Sequence, residues 1–224
     1  ERNHFLGKAQ NNVERLVSMM NDLSTMTRLE ESNGKIPISD IDFHDLVFSL
    51  AEDFTQSGLL KSMDFNYNIP LDCHVYGNGE LLIGMLSNLA KNAVAYSQGT
   101  ETGVVLIGRN ENFDTFSFYD NGVGVGEEHL GHLFDRFYRI DTGRSRKVGG
   151  TGLGLSIVKS AVNTMGGSIS VRNRRGGGLE FIFTLRRVKE SPRQPSAADT
   201  TQAEDVPPAV TVEDSAPGGV SPQA

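Results

Sequence analysis

A helical run from Gly79 to Tyr96 places the strongest constraint on the fold, because two asparagines stand on one of its faces. Asn88 and Asn92 are four residues apart, so both amides project from the same side of a helix that is otherwise largely apolar. A buried amide without hydrogen-bond partners costs about 1–3 kcal/mol. The pair therefore indicates that this helix face meets something polar.

Composition narrows the class of protein. The 224 residues carry a formal net charge of −7, which argues against wholesale binding of nucleic acid. Cys73 is the only cysteine, so neither an intramolecular disulfide nor a cysteine-built zinc site can form, and a reducing compartment is favoured. No stretch approaches the roughly 18 consecutive apolar residues of a transmembrane helix, and no signal peptide is recognisable.

Three regions differ in pattern. Residues 1–33 read as one helix that ends at Asn33-Gly34, and its apolar positions form the seam of a bundle or coiled coil: Leu6, Ala9, Val13, Leu16, Met20 and Leu23. Packing on the chain's own domain stays open, although the polar opposite face favours a partner helix. Residues 34–189 are predicted to form the folded domain. Residues 190–224 contain no large apolar cluster and are predicted to be disordered.

Periodicity within the folded domain predicts a mixed architecture. Three helices are predicted, the first opened by Ser39 and Asp40: residues 38–60, 79–96 and 153–165. Alternating apolar residues predict five strands: 63–70, 103–109, 115–119, 168–171 and 179–185. This order predicts an α+β, two-layer sandwich, a mixed sheet with helices on one face, preceded by one long bundle-forming helix.

The segment FYDNGVGV is the first of two glycine-rich candidates for a binding site. Asp120 ends a strand, and Gly122 and Gly124 follow it. A carboxylate that only accepts hydrogen bonds, beside glycines that admit a flat group, suits the amino group of adenine. The same letters also fit an ordinary Asp-Asn-Gly hairpin turn.

The second candidate is GGTGLGLSIVK. Gly150, Gly152 and Gly154 precede an apolar helix, and the free N–H groups at a helix start attract anions. Glycines before a helix also occur for steric packing alone. Neither segment matches a P-loop or a Rossmann fingerprint.

Together with the paired asparagines, these segments resemble a known family. The order of NLAKNAVAYS, DNGVGV, LFDRFYR and GGTGLGLSIVK closely resembles the N, G1, F and G2 boxes of sensor histidine kinases, which belong to the Bergerat-fold ATPases. The resemblance covers roughly residues 1–188. It implies a Bergerat fold, binding of ATP with Mg²⁺, and transfer of the γ-phosphoryl group to a histidine and then to a response-regulator aspartate.

The resemblance implies roles for the asparagine helix. Asn92 would bind Mg²⁺, and Asn88 would support the phosphate side of the site. ATPase relatives have a water-activating glutamate at the position of Asn88, and an amide cannot accept a proton at neutral pH, so transfer to a protein is favoured over hydrolysis. The family often has lysine or arginine where this chain has Ala95; Lys91 either replaces that phosphate contact or faces solvent.

The remaining implied roles concern the adenine and a lid over residues 125–149. Tyr96 would flank the adenine, Asp120 would accept from its amino group, and Phe134 and Phe137 would anchor the lid. The other nucleotide-binding positions come from the two glycine-rich segments: Gly122, Gly124, Gly150, Thr151, Gly152, Leu153 and Gly154. One of the basic residues of the lid is expected to reach the γ-phosphate: Arg136, Arg139, Arg144, Arg146 or Lys147.

The resemblance also implies partners outside this chain. None of the five histidines precedes an acidic residue with Arg or Lys and Pro shortly after, so the acceptor is expected upstream of Glu1. Residues 1–33 resemble the second helix of a dimerisation hairpin, which implies a homodimer and a response-regulator receiver domain as partner. A cytoplasmic location follows, with any membrane attachment through upstream regions. A Bergerat-fold ATPase and a non-catalytic nucleotide-binding scaffold remain as alternatives.

Overall fold

A computed structural model of the protein describes residues 2–31, 36–60, 63–140 and 150–189. The tail 190–224, the predicted helix end at Asn33-Gly34 and three of the lid cations, Arg144, Arg146 and Lys147, therefore lie outside the described residues.

Five α-helices occur in the described residues: α1 (Arg2–Glu31), α2 (Phe43–Ser57), α3 (Gly79–Asn92), α4 (Glu127–Leu130) and α5 (Gly154–Thr164). Local hydrogen bonds set the ends of α2. Asp42 accepts a bond from the backbone N–H of Asp45, as an N-cap does, and Gly58 ends the helix in the left-handed conformation (φ 64°).

The strands form one mixed, seven-stranded sheet: β1 (Ser39–Asp42), β2 (Asp64–Asn68), β3 (His74–Gly77), β4 (Glu101–Arg109), β5 (Phe113–Asp120), β6 (Ile169–Asn173) and β7 (Leu179–Arg187). Their order is β1-β3-β7-β5-β4-β2, and β6 pairs with β7 beside β3. Only β2 and β4 pair in parallel among these strands; the other pairs are antiparallel. The predicted α+β sandwich with a mixed sheet is confirmed.

Two short strands differ from the sequence prediction. Residues 39–42 form β1 instead of the start of a helix, so Ser39 and Asp40 do not cap α2; Asp42 does. β3, which pairs with β1 in antiparallel fashion, was not predicted. Both strands have four residues, too few for an alternating pattern, and their pairing partner lies more than thirty residues away.

The core lies between the sheet and one layer of helices. Side chains of α2, α3 and α5 are buried against apolar residues of β5 and β7. Phe116 lies at its centre, with its ring centroid 4.6 Å from that of Phe43 and 5.4 Å from that of Phe183. This packing fixes the ends of α3, β5 and α5 on one side of the molecule, where the polar candidates lie.

The long helix α1 has two different faces. Near its C-terminal end, Met26 and Leu29 are buried and belong to the domain core. Five seam residues are instead more than half exposed: Leu6, Val13, Leu16, Met20 and Leu23. Within the described residues, no helix combines the length and apolar character needed to cross a membrane.

Candidate active site

The asparagine pair lies on the last turns of α3. Asn78 caps the helix by accepting a hydrogen bond from Leu81 N at 3.1 Å, and the buried leucines of α3 anchor it on the sheet. Asn88 and Asn92 are half-buried. A Cβ built on Gly154 would stand 3.7 Å from Asn88 Oδ1, so the amide faces the start of α5. The helix face and the glycine-rich segment predicted to bind phosphates therefore adjoin.

A π-helical segment, Ala93–Ser97, continues α3. Its wider turn brings the hydroxyl of Tyr96 against the backbone of Gly150, where an added Cβ would lie only 2.3 Å from Tyr96 Oη. A side chain at this position would displace the Tyr96 hydroxyl. Asn92, which precedes the segment, does not use its side chain to cap it. The sequence gives no signal for a π-helix, a feature frequent at functional sites.

Asp120 ends β5 as a buried carboxylate, 5% exposed. Its Oδ1 accepts a hydrogen bond from Gly122 N at 2.9 Å. Burial raises the pKa of the Asp120 carboxyl above its ordinary value of 3.8, and backbone N–H groups of Gly122 and Leu179 oppose that rise. The loop after Asp120 is tied to the π-helical segment, because Val123 N donates to Ser97 O at 2.9 Å.

Asn121 is a supporting residue that the sequence analysis missed. Its Oδ1 accepts hydrogen bonds from Thr100 N at 2.8 Å and Glu101 N at 2.9 Å, which joins the loop after β5 to the start of β4. The Asp-Asn-Gly sequence was a signal for a turn, but not for this cross-link. The contact holds the residue next to Asp120 in place.

The two lid phenylalanines differ. Phe134 packs on the domain, with its ring 6.2 Å from that of Phe181 and Lys159 Nζ 5.6 Å above it. Phe137 leaves its ring 67% exposed and adopts φ 62°, unusual for a side chain of this size. It makes contact through its backbone, since Phe137 N donates to Gly152 O at 2.9 Å. The ring of Phe134 therefore packs on the domain, whereas Phe137 contacts it through the backbone; that both residues anchor the lid stays a prediction.

The two described lid arginines also differ. Arg136 pairs with Glu30 of α1. Arg139 is half-buried, and its Nε and one terminal nitrogen are shielded from solvent without a hydrogen-bond partner in the described part of the chain. A guanidinium buried in this way is costly unless a ligand satisfies it.

Thr151 connects the glycine-rich segment to α1. Its Oγ1 donates to Asp22 Oδ2 at 2.8 Å and accepts from Leu153 N at 3.1 Å. Leu153 is buried in the core, which holds the first turn of α5 in place. Gly152 has φ 75° and lies against the backbone of Phe137. The segment from Gly150 to Gly154 thus touches α1, the lid and α3.

Comparison with known families identifies this arrangement. Residues 77–189 match the family described as histidine kinase-, DNA gyrase B- and HSP90-like ATPases. The chain belongs to this ATPase family. The matched range begins just before α3 and ends just after β7, so it contains every predicted site residue.

Relatives within the ATPase family are sensor histidine kinases. The chain is 30% identical over 186 residues to sensor histidine kinase RppB of Synechocystis sp., which covers 83% of this chain and 41% of RppB. It is 32% identical over 187 residues to sensor histidine kinase WalK of Bacillus subtilis, with 81% and 30% coverage. The chain thus spans less than half the length of these curated relatives. The resemblance to sensor histidine kinases is confirmed.

Solved structures share the fold. Full-length ShkA in complex with AMPPNP superposes with a TM-score of 0.69 at 23% identity, over 85% of this chain and 40% of that one. Histidine kinase AdeS of Acinetobacter baumannii gives a TM-score of 0.63 at 22% identity, over 81% of this chain and 82% of that one. These likenesses show that the chain shares the fold of histidine kinase structures.

Most of the family-like residues come together, but Lys91 does not join them. The contacts above link Asn88, Tyr96, the loop after β5 and the glycine-rich segment, and Asn92 lies one turn after Asn88 on α3. The exposed side chain of Lys91 instead lines an open groove between α2 and α3, with Ile83 and Ser87. That groove includes neither Asn92 nor Asp120, so we define the candidate site by the contacts between its residues.

Proposed function

We propose that this chain is the ATP-binding kinase module of a sensor histidine kinase. It binds ATP with Mg²⁺ and transfers the γ-phosphoryl group to a histidine on another segment, from which a response-regulator aspartate receives it. The observation that carries the proposal is the position of Asn88, whose amide faces the start of α5 where an anion would bind. An amide there cannot take a proton from water, so the group is transferred and not hydrolysed.

Asn92 suits a magnesium ion. Mg²⁺ prefers oxygen ligands and keeps several waters, so one amide oxygen on a half-buried helix end is an appropriate protein contribution. The Asn92 side chain is available because it does not cap the π-helical segment that follows. When bound, the ion would neutralise charge on the phosphates, while the chain's role is to hold and orient them.

Asp120 suits the adenine. Backbone N–H groups of Gly122 and Leu179 use part of its accepting capacity, and an ionised carboxylate with about four acceptor positions can still accept a hydrogen bond from the adenine amino group. Guanine carries a carbonyl at that position, so its oxygen, which only accepts hydrogen bonds, would face the carboxylate of Asp120, which also only accepts. Tyr96, 43% exposed beside Gly150, would flank the base on its outer side.

Arg139 is the lid cation that we assign to the γ-phosphate. Its two shielded nitrogens lack partners in the described residues, whereas the guanidinium of Arg136 is taken by Glu30. A phosphate oxygen would satisfy those donors and would repay the cost of burying them. We leave Lys91 as a weaker candidate for this contact, because it lines the groove between α2 and α3.

The acceptor and the partners follow from α1. Its exposed seam suits the second helix of a dimerisation hairpin, and the missing first helix would carry the acceptor histidine and complete a homodimer. A receiver domain would take the phosphoryl group from that hairpin. Its cytoplasmic location, as the resemblance implies, is part of the same proposal.

Equilibrium binding of Mg·ATP tests the proposed site. Wild-type chain should bind ATP and discriminate strongly against GTP. Asn92→Ala should weaken binding of Mg·ATP far more than binding of ATP in the presence of a chelator, since it removes a metal ligand. Ser87→Ala, which lies on the face of α3 that lines the groove with α2, is the matched control and should leave both affinities within about twofold. Equal loss in the two variants would refute the assignment of Asn92.

A further inference from the structure

The β6–β7 hairpin holds the loop that follows Asp120. Asn173, the last residue of β6, accepts a hydrogen bond from Val125 N on its Oδ1 at 3.0 Å. The same amide donates from Nδ2 to Val125 O at 2.8 Å. One side chain thus engages both polar backbone groups of a residue 48 positions away, as a neighbouring strand would.

Gly124 is what permits this close approach. It has φ 67°, and a Cβ there would stand 2.6 Å from Asn173 Oδ1. A side chain at this position would push the Asn173 amide away from Val125. Gly124 therefore serves the contact with the hairpin, in addition to any part it plays in admitting a ligand.

The hairpin also holds the other end of the loop. A Cβ on Gly178, where φ is 90°, would lie 2.0 Å from Asp120 O, so hairpin and loop backbones touch. Arg174 stacks 4.1 Å above the ring of Tyr119, the residue before Asp120. The loop between Asp120 and Val125 is consequently fixed at both ends by one hairpin.

We propose that Asn173 is a positioning residue for the adenine side of the nucleotide site. The inference rests on the proposed function. Asn173 fixes the point where the Asp120 loop passes into the lid, so that the carboxylate and its glycines are ordered before ATP arrives. Without Asn173, the loop loses two hydrogen bonds, and ATP must order it on binding. The phosphate side, built on α3 and α5, is untouched.

The test compares three variants with the wild-type chain. Asn173→Ala should weaken ATP and ADP binding by the same factor, roughly tenfold, because both ligands share the adenine contacts. Asn173→Asp keeps the acceptor for Val125 N and loses the donor, so its affinity for ATP should lie between those of the wild-type chain and Asn173→Ala. Arg172→Ala is the matched control: it removes an exposed ion pair with Glu180 on the same hairpin and should change affinity less than twofold.

Amide hydrogen exchange at Val125, measured without nucleotide, separates this inference from the proposed function. Asn173→Ala should speed that exchange at least about tenfold, because the N–H loses its acceptor, and Arg172→Ala should not. Unchanged exchange, or ATP affinity equal to wild type in a folded Asn173→Ala chain, would overturn the role of Asn173. If exchange at Val125 is faster in Asn173→Ala as expected but the wild-type chain does not bind ATP, the proposed nucleotide site would be overturned instead. If Asn173→Ala does not fold, Asn173→Leu, which keeps the side-chain volume and removes both polar groups, carries the same two readouts.

Discussion

Thr151 Oγ1 donates a hydrogen bond to Asp22 Oδ2 at 2.8 Å, so the long helix α1 touches the glycine-rich segment before α5 directly. The same oxygen accepts from Leu153 N, which couples the contact to the first turn of α5. The helix that we propose to dimerise is therefore in contact with the segment that we propose to bind phosphates. Met26 and Leu29, buried nearby on α1, reinforce this docking.

Removing the Asp22 carboxylate should loosen that docking. Asp22→Ala should lower the free energy of unfolding by about 1 kcal/mol, the usual net value of a hydrogen bond in partly buried surroundings. Asp22→Asn keeps an acceptor for Thr151 and should lose less. Urea titration measures both, with Glu31→Ala, an exposed carboxylate on the same helix, as control. A loss in Asp22→Ala no larger than in the control would show that the contact does not stabilise the domain.

Arg139 should matter for phosphoryl transfer and not for stability. Arg139→Met keeps much of the side-chain volume and should slow transfer by about 100-fold or more, as loss of one charged donor at a transferred group does. Its free energy of unfolding should stay the same or rise, because the buried nitrogens have no partner to lose among the described residues. Arg136→Met, which breaks the pair with Glu30, is the control for both measurements. A clear destabilisation with normal transfer would mean that Arg139 is a structural residue.

Burial of Asp120 predicts an acid limit to ATP binding. The raised pKa means that the carboxyl takes up a proton at higher pH than an ordinary aspartate, and the protonated group no longer accepts as a carboxylate. ATP affinity should therefore fall as the pH is lowered from neutrality through that raised pKa. For folding the sign is opposite: a raised pKa in the folded chain costs stability as the pH rises through it. Asp120→Asn should bind ATP weakly at all pH values. It should also abolish the pH dependence of ATP affinity, measured by calorimetry, and this part of the pH dependence of stability, measured by thermal unfolding.

His74 predicts a second, distinct pH effect. Its Nδ1 lies 2.8 Å from Asp40 Oδ1, and this hydrogen bond, with the nearby charges of Asp40, Asp42 and Asp72, raises the pKa of the imidazole above 6.5. The pair joins β1 to β3, so it contributes stability in full below pH 6.5 and loses it as the pH rises through the raised value. His74→Gln and Asp40→Asn should each flatten this part of the stability profile. If His74→Gln and Asp40→Asn each remove part of the pH-dependent stability and these losses add in the double variant, the two side chains do not act as a direct pair.

The sequence predicted the long helices and strands of the domain well and the short strands β1 and β3 poorly. Strong periodic patterns mark the helix with Asn88 and Asn92, the strand that ends in Asp120, and β7. The candidate site residues of these elements lie within short stretches of sequence, so they could be recognised without knowledge of the fold. β1 and β3 were missed because each is stabilised mainly by its partner strand.

The details of the site depend on contacts between distant segments. No local pattern indicates that residues 93–97 form a π-helix, that Asn173 bonds to Val125, or that Arg139 is shielded while Arg136 pairs with α1. Phe137 shows the same limit, because its left-handed backbone, which lies against Gly152, is not one that a phenylalanine prefers. Spacing identified the residue types of the site, whereas packing decides which of them point into it.

The measurement that bears most directly on the account is the fate of the γ-phosphoryl group of radiolabelled ATP. The chain is incubated with Mg²⁺, ATP and a helical hairpin whose first helix carries the proposed acceptor histidine, and acid-labile, alkali-stable label is compared with released phosphate. We predict label on the hairpin, none on the chain, little release of phosphate, and loss of all transfer in Asn92→Ala. Strong labelling of the chain that disappears in His4→Ala or His44→Ala, or rapid phosphate release without any labelled protein, would contradict the account.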